Sequence, residues 1–222
     1  MMTTPWTIPD SKLCNKATDL VAKLSPHVLQ RHCLRTFLFG QQLGYVNELA
    51  FDPELFYLSA ILHDLGLTEA FMGEQRYEVE GADAARQFVL EHGLDAEKAE
   101  VVWDAIALHT SIGIASRKQP EIALVHLGAS LDVFGMGVDT LDADFVHQVF
   151  ETYPRLDLVS SLTDLFITQI QRKPDVIPFT WLSEVGRCCI HGFSCPSYND
   201  LIEASPFHTA SVHTTPVHTD PE

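Results

Sequence analysis

The dipeptide His63-Asp64, in the stretch AILHDLG, closes an otherwise apolar run. Burying an imidazole beside a carboxylate costs free energy unless each finds a partner, and a divalent cation satisfies both together. In a chain with 11 histidines one such dipeptide is weak evidence by itself. Three further residues strengthen it. His32, in RHCLRTFLFG, shares a helical face with Val28, Arg35, Thr36 and Phe39, which is partly apolar. Asp132, in GASLDVFG, follows a long apolar run, where a solvated carboxylate is hard to explain. His109 ends another apolar stretch, AIALHTSIG. Brought together, two imidazoles and two carboxylates form a mixed nitrogen and oxygen donor set that suits Zn, Fe, Mn or Co.

Helices have to carry these residues, because the apolar periodicity is helical nearly everywhere and no alternating β-branched runs occur. Ser25-Pro26 reads as a helix start, and the helix from His27 is expected to stop at Gly44. Asp52-Pro53 opens the helix that ends near His63-Asp64. A helix over 80–92 is closed by Gly93, and Asp95 caps the one leading to His109. Pro120 starts the helix through Phe134 that holds Asp132, and further helices are expected over about 142–152, 157–172 and 180–189. Residues 66–79 read as a loop of the length that often forms a lid or substrate wall. The fold class is all-α: a helical extension over 1–24, one helical bundle over 25–190, and a C-terminal segment over 191–222. Residues 205–222 are rich in Thr, Pro and His, with His208, His213 and His218 in a near-repeat, and read as a disordered tail.

The formal net charge of -16 repels nucleic acid and anionic lipid, which leaves a small neutral substrate as the expected partner. The first twelve residues lack a basic start and an apolar core, and no window approaches a membrane span. Five cysteines form no regular disulfide framework, so a reduced, cytoplasmic protein is expected. The cluster Cys188, Cys189, His191 and Cys195 lacks the second ligand pair that zinc spacings call for. The apolar helices near 157–190 offer a surface for self-association.

The order His32, His63-Asp64, Asp132 in this helical setting resembles the HD-domain superfamily. The stretches HCLRTFLFG, LFYLSAILHDLG, GADAARQF, AIALHTSIG and LGASLDVFG are similar to successive motifs of its cyanamide hydratase-like branch. The resemblance covers roughly residues 25–190 and implies that His32, His63, Asp64 and Asp132 ligate one divalent metal, zinc first, with Fe, Mn or Co as alternatives. It further implies that the metal activates water for addition to a small nitrile such as cyanamide, giving urea. His109 and Asp64 are then the catalytic candidates, with His109 donating a proton to the developing nitrogen anion or anchoring the substrate. Arg35 matches the arginine of the first motif and is expected to prop up the site through Glu80 or Asp64. Thr68 and Thr110 could hydrogen-bond substrate, although helix capping explains them equally well. His126 stands six residues before Asp132, about 120° around the helix, and is expected outside the metal's ligand set.

The main alternative is a phosphohydrolase acting on a nucleotide or other small phosphate ester. Many such enzymes in the superfamily carry a glutamate three residues after the HD aspartate, where this chain has Leu67. Basic residues for a phosphate clamp are also sparse around the motifs, with only Arg31, Arg35, Arg76 and Arg86 available. A dinuclear oxygenase or phosphodiesterase would recruit His109 and His126 as extra ligands. A metal-free binding module would have no reason to bury these charges.

Overall fold

The computed structural model describes residues 6–207, and among them the regular elements are ten α-helices with short 3₁₀ turns and no strand. The tail histidines 208, 213 and 218 lie outside the described residues. No helix among the described residues is long and apolar enough to cross a membrane.

Helix α1 (Lys12–Leu24) starts where the Ser11 hydroxyl accepts from the Cys14 amide, and it buries Cys14, Ala17 and Val21 in the main core. Helix α3 (Pro53–Leu62) is capped by the Asp52 carboxylate, which accepts from the amides of Glu54 and Leu55. Every residue from Leu55 to Leu62 is buried. A helix that is apolar on all sides belongs in the centre. Around α3 pack α2 (His27–Val46), α5 (Ala96–Leu108) and α6 (Pro120–Phe134), with α4 (Tyr77–Glu91) against α5. Because α3 ends at Leu62, His63-Asp64 emerges at the middle of the bundle and turns at once into a 3₁₀ turn over Leu65–Leu67.

The α2–α6 pairing sets the site's geometry. A Cβ on Gly128 would fall 2.1 Å from the Thr36 carbonyl oxygen, and one on Gly40 would fall 2.7 Å from that of Leu124. The two backbones therefore touch at 36/128 and 40/124, an antiparallel register that moves four residues, about one helical turn, per step. One more step in the same direction pairs His32 with Asp132.

The chain then continues through α7 (Ala143–Thr152), α8 (Leu158–Arg172), α9 (Trp181–Cys189) and α10 (Tyr198–Glu203). Leu158, Leu162, Phe166 and Ile170 on α8 and Leu182 on α9 face inward with Val28, Leu29, Leu67 and Tyr77 as a second, smaller core. The site lies between the two cores.

Three local expectations need correction. Gly44 does not stop α2, which runs on to Val46; a Cβ there would meet the Phe51 ring at 2.6 Å, so the glycine serves close packing. Ser25 does not cap α2, whose first turn follows Pro26 without a side-chain cap. The segment 66–79 is not a free loop, since α4 already begins at Tyr77 and α8 straps the rest. Gln169 donates to the Gly66 carbonyl, Arg172 pairs with Glu69, and Lys173 reaches both the Gln75 carbonyl and Glu80.

Candidate metal centre

His32 comes from α2, and His63 with Asp64 from the end of α3. All three are buried, with one donor atom from each lying within 4.8 Å of the others. His63 Nδ1 is 2.8 Å from the Ala60 carbonyl oxygen, which can only accept, so Nδ1 carries the proton. His32 Nδ1 is 2.7 Å from Asp132 Oδ2. Burial pushes the Asp132 carboxyl up, but hydrogen bonds from His32 and Arg35 outweigh it and hold it below its ordinary value. It is an anion, so His32 Nδ1 also donates.

In their neutral forms both Nε2 atoms therefore present lone pairs, and these face each other across 3.3 Å with no hydrogen to share. Burial, with His32 adding to it, pushes His63 down to about 3, so His63 itself carries no second proton near neutral pH. The third donor, Asp64 Oδ2, lies 3.3 Å from His63 Nε2 and 3.6 Å from His32 Nε2, and it is buried without a hydrogen-bond partner. With both imidazoles neutral, three lone pairs converge on one point, and a metal cation there satisfies all three. Metal–ligand bonds of about 2.1 Å in a tetrahedron place donors roughly 3.4 Å apart, and the three separations match that edge. The residues fit a divalent transition metal.

Asp132 is not brought into this group. Arg35 Nε and Nη2 donate to its two oxygens at 2.7 and 2.8 Å, and His32 takes what remains of Oδ2. It stands behind His32, fixing the imidazole's tautomer and orientation as carboxylates commonly do behind metal-binding histidines. The expected partners of Arg35 were wrong: neither Glu80 nor Asp64 pairs with it, and its remaining Nη1 reaches the carbonyls of Tyr153 and Pro154. The α2–α6 register makes Asp132 the carboxylate within reach, while Glu80 is held by Lys173.

His109 follows α5, with Nδ1 2.6 Å from the Ile106 carbonyl and Nε2 3.9 Å from Asp64 Oδ1. It is both a backbone-bonded core histidine and a residue of the site. Burial, and then the nearby His63, push it down to about 4. Burial likewise pushes the Asp64 carboxyl up. Thr110 does not cap a helix; its hydroxyl donates to Glu78 Oε1 at 2.9 Å. Thr68 closes the turn after the dipeptide by donating to the Leu65 carbonyl, which makes it a structural residue of that turn. Cys188, Cys189, His191 and Cys195 form no metal-holding group among the described residues.

Glu78 escaped the sequence reading, while His126, expected outside the metal's ligand set, does lie outside it. His126 is buried with Nδ1 2.7 Å from the His109 carbonyl, and it lines the same cavity as His32 and His63. Glu78 is almost fully buried between Arg76 and Thr110, at the near end of α4. Its sequence neighbour Tyr77, read only as a loop residue, supplies cavity wall.

The donors open into a cavity of about 330 Å³. Its floor is polar, formed by the four histidines with Asp64, Thr110 and Ser130. Its wall is Tyr77, Ala129, Val133, Leu162, Phe166 and Trp181. Among the described residues no lysine or arginine lines it.

Residues 29–134, which carry all the donors above, match the family model described as HD domain, a family generally of metal-dependent hydrolases. No curated protein matches the chain.

Proposed function

With residues 29–134 as an HD domain, we propose that this chain is a metal-dependent hydratase. It adds water to a small uncharged nitrile such as cyanamide, giving urea, over a metal, zinc first, held by His32, His63 and Asp64. The observation that carries this reading is the cavity lining. A phosphate ester brings at least one negative charge and normally meets several cationic side chains, and none lines this cavity. Asp64 and the nearby Glu78 make the surroundings still less hospitable to an anion. A linear neutral substrate meets no such cost.

A divalent cation at the site supplies a water of lowered pKa as nucleophile near neutral pH. The protein does the rest. Asp132 and the Ala60 carbonyl hold His32 and His63 with their Nε2 lone pairs forward. His109 Nε2 also bears a lone pair, since Nδ1 donates to Ile106, so it accepts a proton from water and returns it to nitrogen. The balance is simple: a C–O bond forms, one C–N π bond breaks, and the water's two hydrogens end on nitrogen after tautomerisation to the amide. Thr110 and Glu78, joined by their hydrogen bond, border His109's side of the floor and keep it polar.

The test is turnover by the metal-loaded protein of cyanamide, read as urea, beside a panel of nucleotides and phosphate monoesters, read as phosphate. Urea release that disappears in His109→Ala and in metal-stripped protein supports the reading. Phosphate release without urea would replace it with a phosphohydrolase, the reading the HD match favours on its own.

A further inference from the structure

The floor of the cavity suits a nitrile group, but most of the cavity is elsewhere. A three-heavy-atom molecule has about the volume of two waters, roughly 60 Å³. The space is about 330 Å³, within the range that takes a drug-sized ligand. Water could fill the remainder only by facing a wall of aliphatic and aromatic carbon, which gives it few of the 2–4 polar partners a bound water needs.

The wall is ordered by ring contacts, edge-on except for a tilted pair of Tyr77 and Phe166. His63 meets His109 at 5.0 Å between centroids, His109 meets Tyr77 at 5.9 Å, and Tyr77 meets Phe166 at 6.0 Å. Phe166 then meets Trp181 at 4.7 Å. This chain of rings leads continuously from the donors to the far wall. Such packing fixes a rigid apolar surface in advance, which lowers the ordering cost of binding a flat apolar group.

The mouth carries a third sign. Ile112, Phe134 and Met136 line the cavity yet are 81%, 66% and 56% exposed. They come from two separate segments, the turn after α5 and the end of α6 with the residues just beyond it, so the rim is not one helix's stray apolar face. Exposed apolar side chains from two segments at one cavity, on a chain of net charge -16, mark a place where apolar matter enters.

We infer that the substrate of this site carries an uncharged, ring-sized apolar group on its reacting C≡N: an aryl or comparably bulky nitrile or N-substituted cyanamide rather than cyanamide itself. The nitrile end meets His32, His63 and His109, the ring lies against Tyr77, Leu162 and Phe166, and Phe134 and Met136 close over its outer edge. The inference rests on the hydratase reading for the reacting group, but the apolar subsite stands on the cavity alone.

Binding and turnover separate the two. The zinc-loaded protein is titrated calorimetrically with benzamide, the inert product of benzonitrile hydration, and with acetamide. Benzamide is expected to bind at least tenfold more tightly. Ala129→Leu, which fills the wall, should weaken benzamide at least tenfold, and Phe134→Ser, at an exposed position that leaves folding intact, should weaken it severalfold. Equal affinities for the two amides, or no effect of either substitution, would overturn the inference. In turnover, kcat/KM for benzonitrile is expected to exceed that for cyanamide. Efficient hydration of cyanamide with benzonitrile inert would also overturn it and leave the hydratase reading standing. Tight, Ala129-sensitive benzamide binding with no nitrile hydrated would keep the apolar subsite and remove the hydratase reading.

Discussion

The floor of the cavity and its wall are built on opposite principles. On the floor, α2, α3, α5 and α6 each deliver a polar side chain whose second polar atom is already spoken for. His32 is held by Asp132, His63 by Ala60, His109 by Ile106, and His126 by His109. What remains free on each imidazole is Nε2, turned to the cavity. The wall, from α4, α6, α8 and α9, has few polar atoms and relies largely on ring packing, and at its rim apolar side chains reach solvent. The floor is thus specified by hydrogen-bond partners and fails if one is removed. The wall is specified by volume and tolerates change at its edge. Chemistry is assigned to the first and selection among substrates to the second.

The largest break expected on the floor side is Arg35→Met. It strips both guanidinium donors from the buried Asp132 carboxylate, leaving it His32 alone, and removes the donor of two backbone carbonyls, a loss of about 3–5 kcal/mol. For a chain of this size that is roughly a 10 °C fall in Tm, measured by calorimetry. Gly128→Ala comes next. Its methyl would sit 2.1 Å from the Thr36 carbonyl and force α2 and α6 apart, costing about 3 kcal/mol and loosening the His32–Asp132 contact. A denaturant midpoint and a zinc titration on the same sample should both shift.

Glu78→Gln should cost less, about 1–2 kcal/mol at pH 7, and the cost should depend on pH. Burial raises the Glu78 carboxyl, but the Arg76 hydrogen bond and charge outweigh that and hold it below its ordinary value. A depressed carboxyl contributes stability above its unfolded value, near 4.3, and loses it as pH falls through the folded value. The gap between variant and wild type in urea unfolding should be full above about pH 5 and close as the pH is lowered beneath about 4. Phe134→Ser at the rim should change stability by no more than about 0.5 kcal/mol. A large loss there would erase the contrast between floor and wall.

Much of the floor was legible in the sequence. The all-helical class followed from periodicity, and α6 runs from Pro120 to Phe134 as read, with Gly135 beyond it in the left-handed conformation that ends a helix. Asp52 and Asp95 cap where their types suggest. His63-Asp64 stood out because its polarity contradicts its apolar surroundings. Arg35's partner was not legible, since it depends on the register of two helices nearly a hundred residues apart, fixed by glycine contacts. His126 was expected outside the metal's ligand set from its angle to Asp132, and it lies outside the His32, His63 and Asp64 group. That angle says nothing about the cavity, which His126 does line. The wall was invisible because Tyr77, Leu162, Phe166 and Trp181 are ordinary apolar residues until α4, α8 and α9 fold over the site.

The central claim is that three facing lone pairs on His32, His63 and Asp64 hold a divalent metal. Elemental analysis of the purified protein, beside His63→Ala at matched helical content, tests it most directly. About one equivalent of transition metal in the wild type, falling below a tenth in the variant, is the predicted result. A wild type that neither carries nor takes up metal, or a variant that retains it undiminished, would contradict the account.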